Sequence, residues 1–265
     1  MVKLSHTLHH FKKSIGNGWL RLRQTGLDLL LPPVCAFCHV DLLTDHQGVG
    51  LCHNCRSEIC NLGDSVCAHC GNPTPDDSGK EGSACKNCLG DQFQFRCMIA
   101  LGAYHGKARA AILQSKYLDG QPLTMALSQC LLAVRQKEIN AFLPDLIVPI
   151  PMHWTRRLKR GANGPETVAH CLAGKLKIPF SKRVLVRRRK TARQSELSQH
   201  ARQLNMRNAF GITNKRGVYQ KRVLLVDDVL TTGATCNEAT KALLAAGASQ
   251  VAVAVLARAA YEVGA

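Results

Sequence analysis

Val223-Leu224-Leu225-Val226-Asp227-Asp228-Val229-Leu230-Thr231-Thr232-Gly233-Ala234-Thr235 is the stretch that decides the fold of this chain. Residues 223–226 are apolar without alternation, the pattern of a strand covered on both faces in a parallel sheet. Two carboxylates follow, then a hydroxyl-rich turn with one glycine, then helical periodicity over residues 235–246 stopped by Gly247. A strand that passes through such a turn into a helix gathers backbone N–H groups, hydroxyls and the positive helix end around one point, which suits a phosphate. Asp227 and Asp228 fall at the expected carboxyl end of the strand, where open α/β sheets bind ligands, and are expected to be exposed in a cleft holding sugar hydroxyls or a metal ion. Two other strand–turn–helix chemistries are excluded. No G-x-x-x-x-G-K-[ST] occurs, which removes the nucleotide-hydrolysing loop, and only 38 residues follow Asp227, too few for a receiver domain.

Outward from this stretch, residues 98–265 alternate helical and strand patterns and predict an α/β domain. Helical spacing over residues 108–136 is interrupted around Gly120-Gln121-Pro122, and residues 145–150 read as a short buried strand before Pro151. A helix is predicted over residues 163–177, and strands over 184–186 and 251–256. Residues 187–217 read as one long polar, basic connection, a length more often functional than accidental in a compact domain.

The cysteines carry the second signal. Cys35-x-x-Cys38 and Cys52-x-x-Cys55 form one set, and Cys67-x-x-Cys70 and Cys85-x-x-Cys88 repeat it at nearly the same interval. Two C-x-x-C knuckles presenting four sulfurs tetrahedrally suit a closed structural zinc site, so two zinc ions are expected, by neighbour pairing or by interleaved pairing. A single C-x-x-C also serves redox chemistry, and an iron–sulfur cluster is the alternative to zinc. Residues 34–97 hold few large apolar side chains, so metal binding is expected to fold them as a module separate from the α/β domain. The five remaining cysteines, Cys60, Cys97, Cys130, Cys171 and Cys236, read as buried apolar fillers.

Composition bounds the rest. A hydrophobic fraction of 46% with 20% charged residues excludes wholesale disorder. No apolar run approaches the roughly 20 residues of a membrane span, and thirteen cysteines, eight of them in C-x-x-C pairs, fit a reducing compartment, so a cytoplasmic location is expected. The 35 Lys and Arg exceed the 18 Asp and Glu by 17, and the whole excess lies in residues 156–222, which hold 19 basic and two acidic side chains. Such concentration suggests a polyanionic ligand; a solvated basic face is the plain alternative. Residues 1–33 show helical spacing of Leu4, Leu8, Phe11, Ile15, Trp19 and Leu22, broken by Gly16 and Gly18, for packing on the protein or for contact with a membrane surface.

Residues 223–235 resemble the phosphoribosyl-pyrophosphate (PRPP) loop of type I phosphoribosyltransferases, and with the cysteine module ahead of it the chain resembles the ComF/GntX family of amidophosphoribosyltransferase-like competence proteins. The supporting pieces run in family order: Tyr104 through Lys116-Tyr117; Val148-Pro149-Ile150-Pro151 before Arg156-Arg157; Arg160-Gly161 with Asn163; and Thr191, Gln194, Leu197-Ser198, Arg202, Asn205 and Ala209-Phe210. Where the family usually has an aromatic residue and a glutamine, this chain reads Ala162-Asn163-Gly164-Pro165. The resemblance implies a type I phosphoribosyltransferase-like parallel sheet flanked by helices over residues 98–265, preceded by a double four-cysteine zinc ribbon over 34–97 and a helical extension over 1–33. It implies that Asp227 and Asp228 face the ribose hydroxyls of PRPP, that Thr231, Thr232, Gly233, Ala234 and Thr235 cradle its 5′-phosphate with Mg²⁺ alongside, and that residues 188–207 cover the site. It further implies a cytoplasmic competence factor that handles incoming single-stranded DNA alongside other competence proteins such as a DNA-translocating ATPase; the basic excess of residues 156–222 makes that segment the expected single-strand contact. The other functional classes are a working phosphoribosyltransferase of nucleotide salvage or biosynthesis and a zinc-scaffolded interaction module on an inactive fold.

Overall fold

A computed structural model describes residues 32–42, 49–63, 66–67, 69–74, 85, 88, 93–117, 119–152, 164–189 and 205–259. The expected helix over residues 1–33 lies outside them, Pro32 and Pro33 apart. The chain divides into two compact units, residues 1–53 and 54–265. In the first, the described residues form a knuckle closed by a Val34–Asp41 bridge, with the Cys35 N–H donating to the Val40 carbonyl at 2.7 Å.

The short helix α1 (His53–Ile59) lies in the second unit from Asn54 onward, and a second knuckle closed by a Val66–Pro73 bridge follows it. Next come β1 (Met98–Ala103), α2 (Gly106–Gln114), α3 (Gln121–Phe142), β2 (Leu146–Pro149) and α4 (Gly164–Leu176). β3 (Leu185–Arg187), β4 (Phe210–Ile212), β5 (Arg222–Leu230), α5 (Ala234–Ala245) and β6 (Gln250–Arg258) complete it. The break between α2 and α3 falls where Gly120 and Pro122 place it: Gly120 is the residue before α3, and proline is tolerated in a helix's first turn.

Four strands form an all-parallel sheet in the order β1-β6-β5-β2. One face buries Ala100, Val148, Leu225, Val253 and Val255 against Cys236, Ala239 and Leu243 of α5. The alternate residues Ile99, Leu101, Ile147, Leu224 and Val226 are equally buried, and α3 and α4 pack on these strands. Burial on both faces is why residues 223–226 carry no alternation. At the start of β5, Arg222 donates from its backbone N, Nε and Nη2 to the Asp145 carboxylate at 2.9, 3.2 and 3.2 Å, which fixes the register against β2.

Three elements differ from the sequence reading. β5 runs on to Leu230 instead of stopping at Val226, because β6 stays paired with it as far as Leu230–Arg258 while β2 ends opposite Val226. The connection expected over residues 187–217 contains β4, antiparallel to β3 with Val186 opposite Gly211. Three residues are too short to show a strand period. β1 belongs to no predicted element, since Met98-Ile99-Ala100-Leu101 reads equally well as helix or strand.

Candidate functional site

Asp227 and Asp228 lie inside β5, not past its end, and the pleat therefore sends them to opposite faces. Both are partly buried, where the sequence reading expected two exposed carboxylates in one cleft. Asp227 turns toward α5, with its Oδ2 3.8 Å from the Cys236 Sγ. Asp228 turns to the other face and pairs with Lys116, Nζ to Oδ2 2.9 Å, the acid's side chain 27% exposed. The carboxylates also fold back on the strand: Asp227 Oδ1 accepts the Asp228 N–H at 2.9 Å and Asp228 Oδ1 accepts the Val229 N–H at 2.8 Å.

These settings separate the two acids. Burial, with the Asp228 charge added, pushes the Asp227 carboxyl well above the usual range, so it favours its neutral form. Burial works the same way on Asp228, but the Lys116 ammonium and its hydrogen bond outweigh it and pull that carboxyl below the usual range. Burial and the adjoining Asp227 also raise the Cys236 thiol, which fits an inert filler under the strand. The pair thus presents one carboxylate neutralised by a lysine and one carboxyl that resists ionisation.

Thr231, Thr232 and Gly233 connect β5 to α5. Gly233 has φ +78°, the left-handed region, and a Cβ there would lie 2.6 Å from Phe93 Cε1, so glycine is required twice over. Thr232 is buried, and its Oγ1 faces the Ala234 N–H at 3.5 Å. Thr231 and Thr235 are partly exposed, and Ala234, buried, opens the helix. α5 has no acidic residue in its first turn, so its own side chains do not offset the partial positive charge of its N-terminus. Two further contacts hold that end: Asn237 Oδ1 accepts the Gln94 N–H at 2.7 Å, and Glu238 accepts the Asn208 N–H at 3.2 Å.

Lys116 is the side chain of this candidate site for which the sequence offered no chemical role. It stands just after α2, beside the 69% exposed ring of Tyr117, and its only trace was a place in the family's Lys-Tyr pair. Other expected residues fall outside the described ones: Arg156, Arg157, Arg160, Gly161, Asn163, Thr191, Gln194, Leu197, Ser198 and Arg202. Of the basic run at 187–190, Arg187 lies 5.6 Å over the Phe210 ring and 3.3 Å from the Met206 sulfur. Arg189 donates to the Asn205 and Arg207 carbonyls at 2.8 and 2.7 Å. Both therefore brace β3 and β4.

The eight knuckle cysteines gather as consecutive quartets, Cys35, Cys38, Cys52, Cys55 and Cys67, Cys70, Cys85, Cys88, each with its sulfurs within 4.8 Å of one another. The S···S separations are 3.7 Å for Cys38–Cys52 and 3.8, 3.5 and 3.7 Å for Cys67–Cys88, Cys70–Cys85 and Cys85–Cys88. Four sulfurs at about 2.3 Å from one zinc ion stand about 3.8 Å apart, so the residues of both quartets suit Zn²⁺. Cys35 and Cys67 share one electrostatic setting. Burial opposes ionisation, but N–H groups of the knuckle outweigh it and bring both thiols down to about 7. Burial pushes Cys70 up to about 11. Of the other five cysteines, Cys130 and Cys236 are buried as expected, while Cys60, Cys97 and Cys171 are only partly so.

Two family models match: the double zinc ribbon domain over residues 26–89 and the phosphoribosyl transferase domain over residues 162–263. Competence protein F of Haemophilus influenzae is 32% identical over 79% of this chain and 91% of its own length. DNA utilization protein YhgH of Escherichia coli K12 is 29% identical over 87% of this chain and 99% of its own. Competence protein ComFC of Bacillus subtilis is 24% identical over 74% and 79%. This chain belongs to the competence protein F (ComF) family, with a double zinc ribbon ahead of a phosphoribosyltransferase domain.

Proposed function

We propose that this chain binds PRPP with Mg²⁺ at the far end of β5 and acts in the cytoplasmic handling of incoming single-stranded DNA during natural transformation. One observation carries the PRPP reading: the Lys116–Asp228 pair and Asp227 adjoin a left-handed Gly233 turn that opens α5. The turn and helix end would take the 5′-phosphate through N–H groups. The two carboxyls would take the ribose hydroxyls, and Mg²⁺ would offset the pyrophosphate charge.

Calorimetry with PRPP and Mg²⁺ tests this. Asp228→Asn should weaken binding about ten-fold or more, the cost of a lost charge-assisted hydrogen bond, and Thr232→Val by a similar factor. Unchanged affinity in both variants would move the site elsewhere. Incubation with a panel of bases and amines separates a binding protein from a transferase: ribosylated product would establish the transferase reading suggested by the phosphoribosyl transferase match.

The DNA reading rests on the basic excess of residues 156–222. Because Arg187 and Arg189 brace the β3–β4 pair, the discriminating variant is Lys215→Gln with Arg216→Gln, two exposed residues in the turn before β5. Single-strand binding should fall with salt by about 0.7 log units per phosphate contact, and this variant should make the slope shallower. An unchanged slope and affinity would remove these residues from the interface.

A further inference from the structure

We propose that Arg258 is a positioning residue that couples the second cysteine quartet to the phosphate loop, so that metal bound at Cys67, Cys70, Cys85 and Cys88 sets the loop's ability to take a phosphate. The proposal rests on the reading of residues 231–235 as a PRPP phosphate loop.

Arg258 ends β6 and is 2% exposed, an unusual burial for an arginine. Its guanidinium reaches in two directions. Toward the second ribbon, Nε donates to the Cys70 carbonyl at 2.7 Å and Nη2 to the Asn72 Oδ1 at 3.2 Å. Toward the loop, Nη1 donates to the Leu230 carbonyl at 3.2 Å and to the carbonyls of Thr231 and Ala259. One planar side chain therefore joins the backbone of a metal ligand to the first residue of the loop. A trans peptide points its C=O and N–H in opposite directions. Fixing the Thr231 carbonyl on Arg258 therefore turns the Thr232 N–H away from the guanidinium.

Two further observations strengthen the connection. Among the described residues no carboxylate forms an ion pair with Arg258. A zinc ion with four thiolates carries a net charge of roughly two minus, the counter-charge that a buried guanidinium needs. In addition, Phe93 packs against the cysteine cluster on one side and the main core on the other, and its ring abuts Gly233. The second ribbon therefore bears on the loop at both Thr231 and Gly233.

The test uses the full zinc-loaded chain, with PRPP·Mg calorimetry and amide exchange over residues 231–235 as independent readouts. Arg258→Met should weaken PRPP binding roughly ten-fold or more and speed exchange in the loop, while β5 and β6 stay protected. Arg258→Lys, which keeps the charge and one donor, should recover part of both. Asn72→Ala should shift both in the same direction by a smaller factor, and Lys241→Gln, the same charge lost from an exposed site on α5, should shift neither. Affinity and loop exchange within two-fold of wild type in a folded Arg258→Met chain would overturn the coupling. If that variant does not fold, wild-type behaviour of both Arg258→Lys and Asn72→Ala would overturn it. Absence of PRPP binding by the wild-type chain would instead defeat the PRPP reading, and loop exchange in Arg258→Lys and Asn72→Ala would still decide the coupling.

Discussion

The two cysteine quartets share one local design and occupy different settings. In each knuckle the first cysteine's N–H donates to the carbonyl five residues on, Cys35 to Val40 at 2.7 Å and Cys67 to Asn72 at 2.9 Å. In each, the fourth residue after that cysteine has a left-handed backbone, His39 at φ +62° and Gly71 at +65°. The difference lies in what surrounds that turn. His39 is exposed, whereas a Cβ on Gly71 would fall 1.7 Å from Met98 Cε on β1. Three cysteines of the first quartet lie in the unit of residues 1–53, while the second quartet lies wholly within the unit that contains the sheet. His69 adds to the difference, with its Nε2 2.7 Å from the Phe95 carbonyl. Equal spacing in sequence therefore does not mean equal work. The second ribbon is part of the phosphoribosyltransferase-like domain's own packing, which the expectation of a separate module over residues 34–97 did not include.

The largest predicted effect sets the two quartets against each other. Cys85→Ser should lower zinc content from two ions to one and destabilise residues 54–265 by more than about 3 kcal/mol, given apparent binding energies of about 10–16 kcal/mol for structural zinc. Cys52→Ser should also lose one ion yet leave the sheet's thermal transition within about 2 °C, a shift that in a domain this large corresponds to about 1 kcal/mol or less. Elemental analysis with amide exchange of β5 and β6 measures both, and equal loss of sheet protection would erase the distinction.

A smaller contrast comes from apolar side chains. Phe93→Ala should cost about 2–3 kcal/mol, below the range for a fully buried ring because Phe93 is only partly buried. Val40→Ala in the first knuckle, 51% exposed, should stay within about 0.5 kcal/mol. Denaturant unfolding resolves the two. Below that lies Gly233→Ala, expected to cost about 1–2 kcal/mol for a left-handed alanine plus its clash with Phe93. In a Phe93→Ala background the clash is gone, so a double-mutant cycle should show a favourable coupling; strict additivity would mean that the ring does not press on the loop.

The smallest effect is a pH dependence at the loop end of the same connection. Asp227 is raised in the folded chain, so above about pH 4, near its unfolded value, the unfolded state loses a proton that the folded state retains, and stability falls as pH rises toward the folded value. Asp227→Asn removes that slope and should gain stability relative to wild type from about pH 4 upward. Asp228 has the opposite sign: its contribution is present above the unfolded value and is lost as pH falls through its lowered folded value. Thermal melts between about pH 3 and 8 separate the two, and parallel curves for wild type and Asp227→Asn would contradict the assignment.

Much of this protein was legible in its sequence wherever the determinant is local. The unalternated run at residues 223–226, the glycine of the turn and the helix stopped by Gly247 placed β5, the loop and α5, because each depends on neighbours a few residues apart. The quartets were legible for the same reason, since metal-ligand geometry constrains short spacings. What escaped depends on pairing across the chain. The extension of β5 to Leu230, and with it the split of Asp227 and Asp228 onto opposite faces, is set by β6. The Lys116 partner of Asp228 comes from a different helix–strand unit. Arg258 meets Cys70 across 188 residues, and no local pattern marks it, because an arginine ending an apolar strand reads as a solvent-facing terminus until the second ribbon closes over it. Sequence alone placed the cysteine quartets and the strand–turn–helix; the tertiary packing decided which charges are paired, which acid is held above the usual carboxylate range and which below it, and which ribbon bears on the loop, since these depend on burial and distance between segments that share no local sequence constraint.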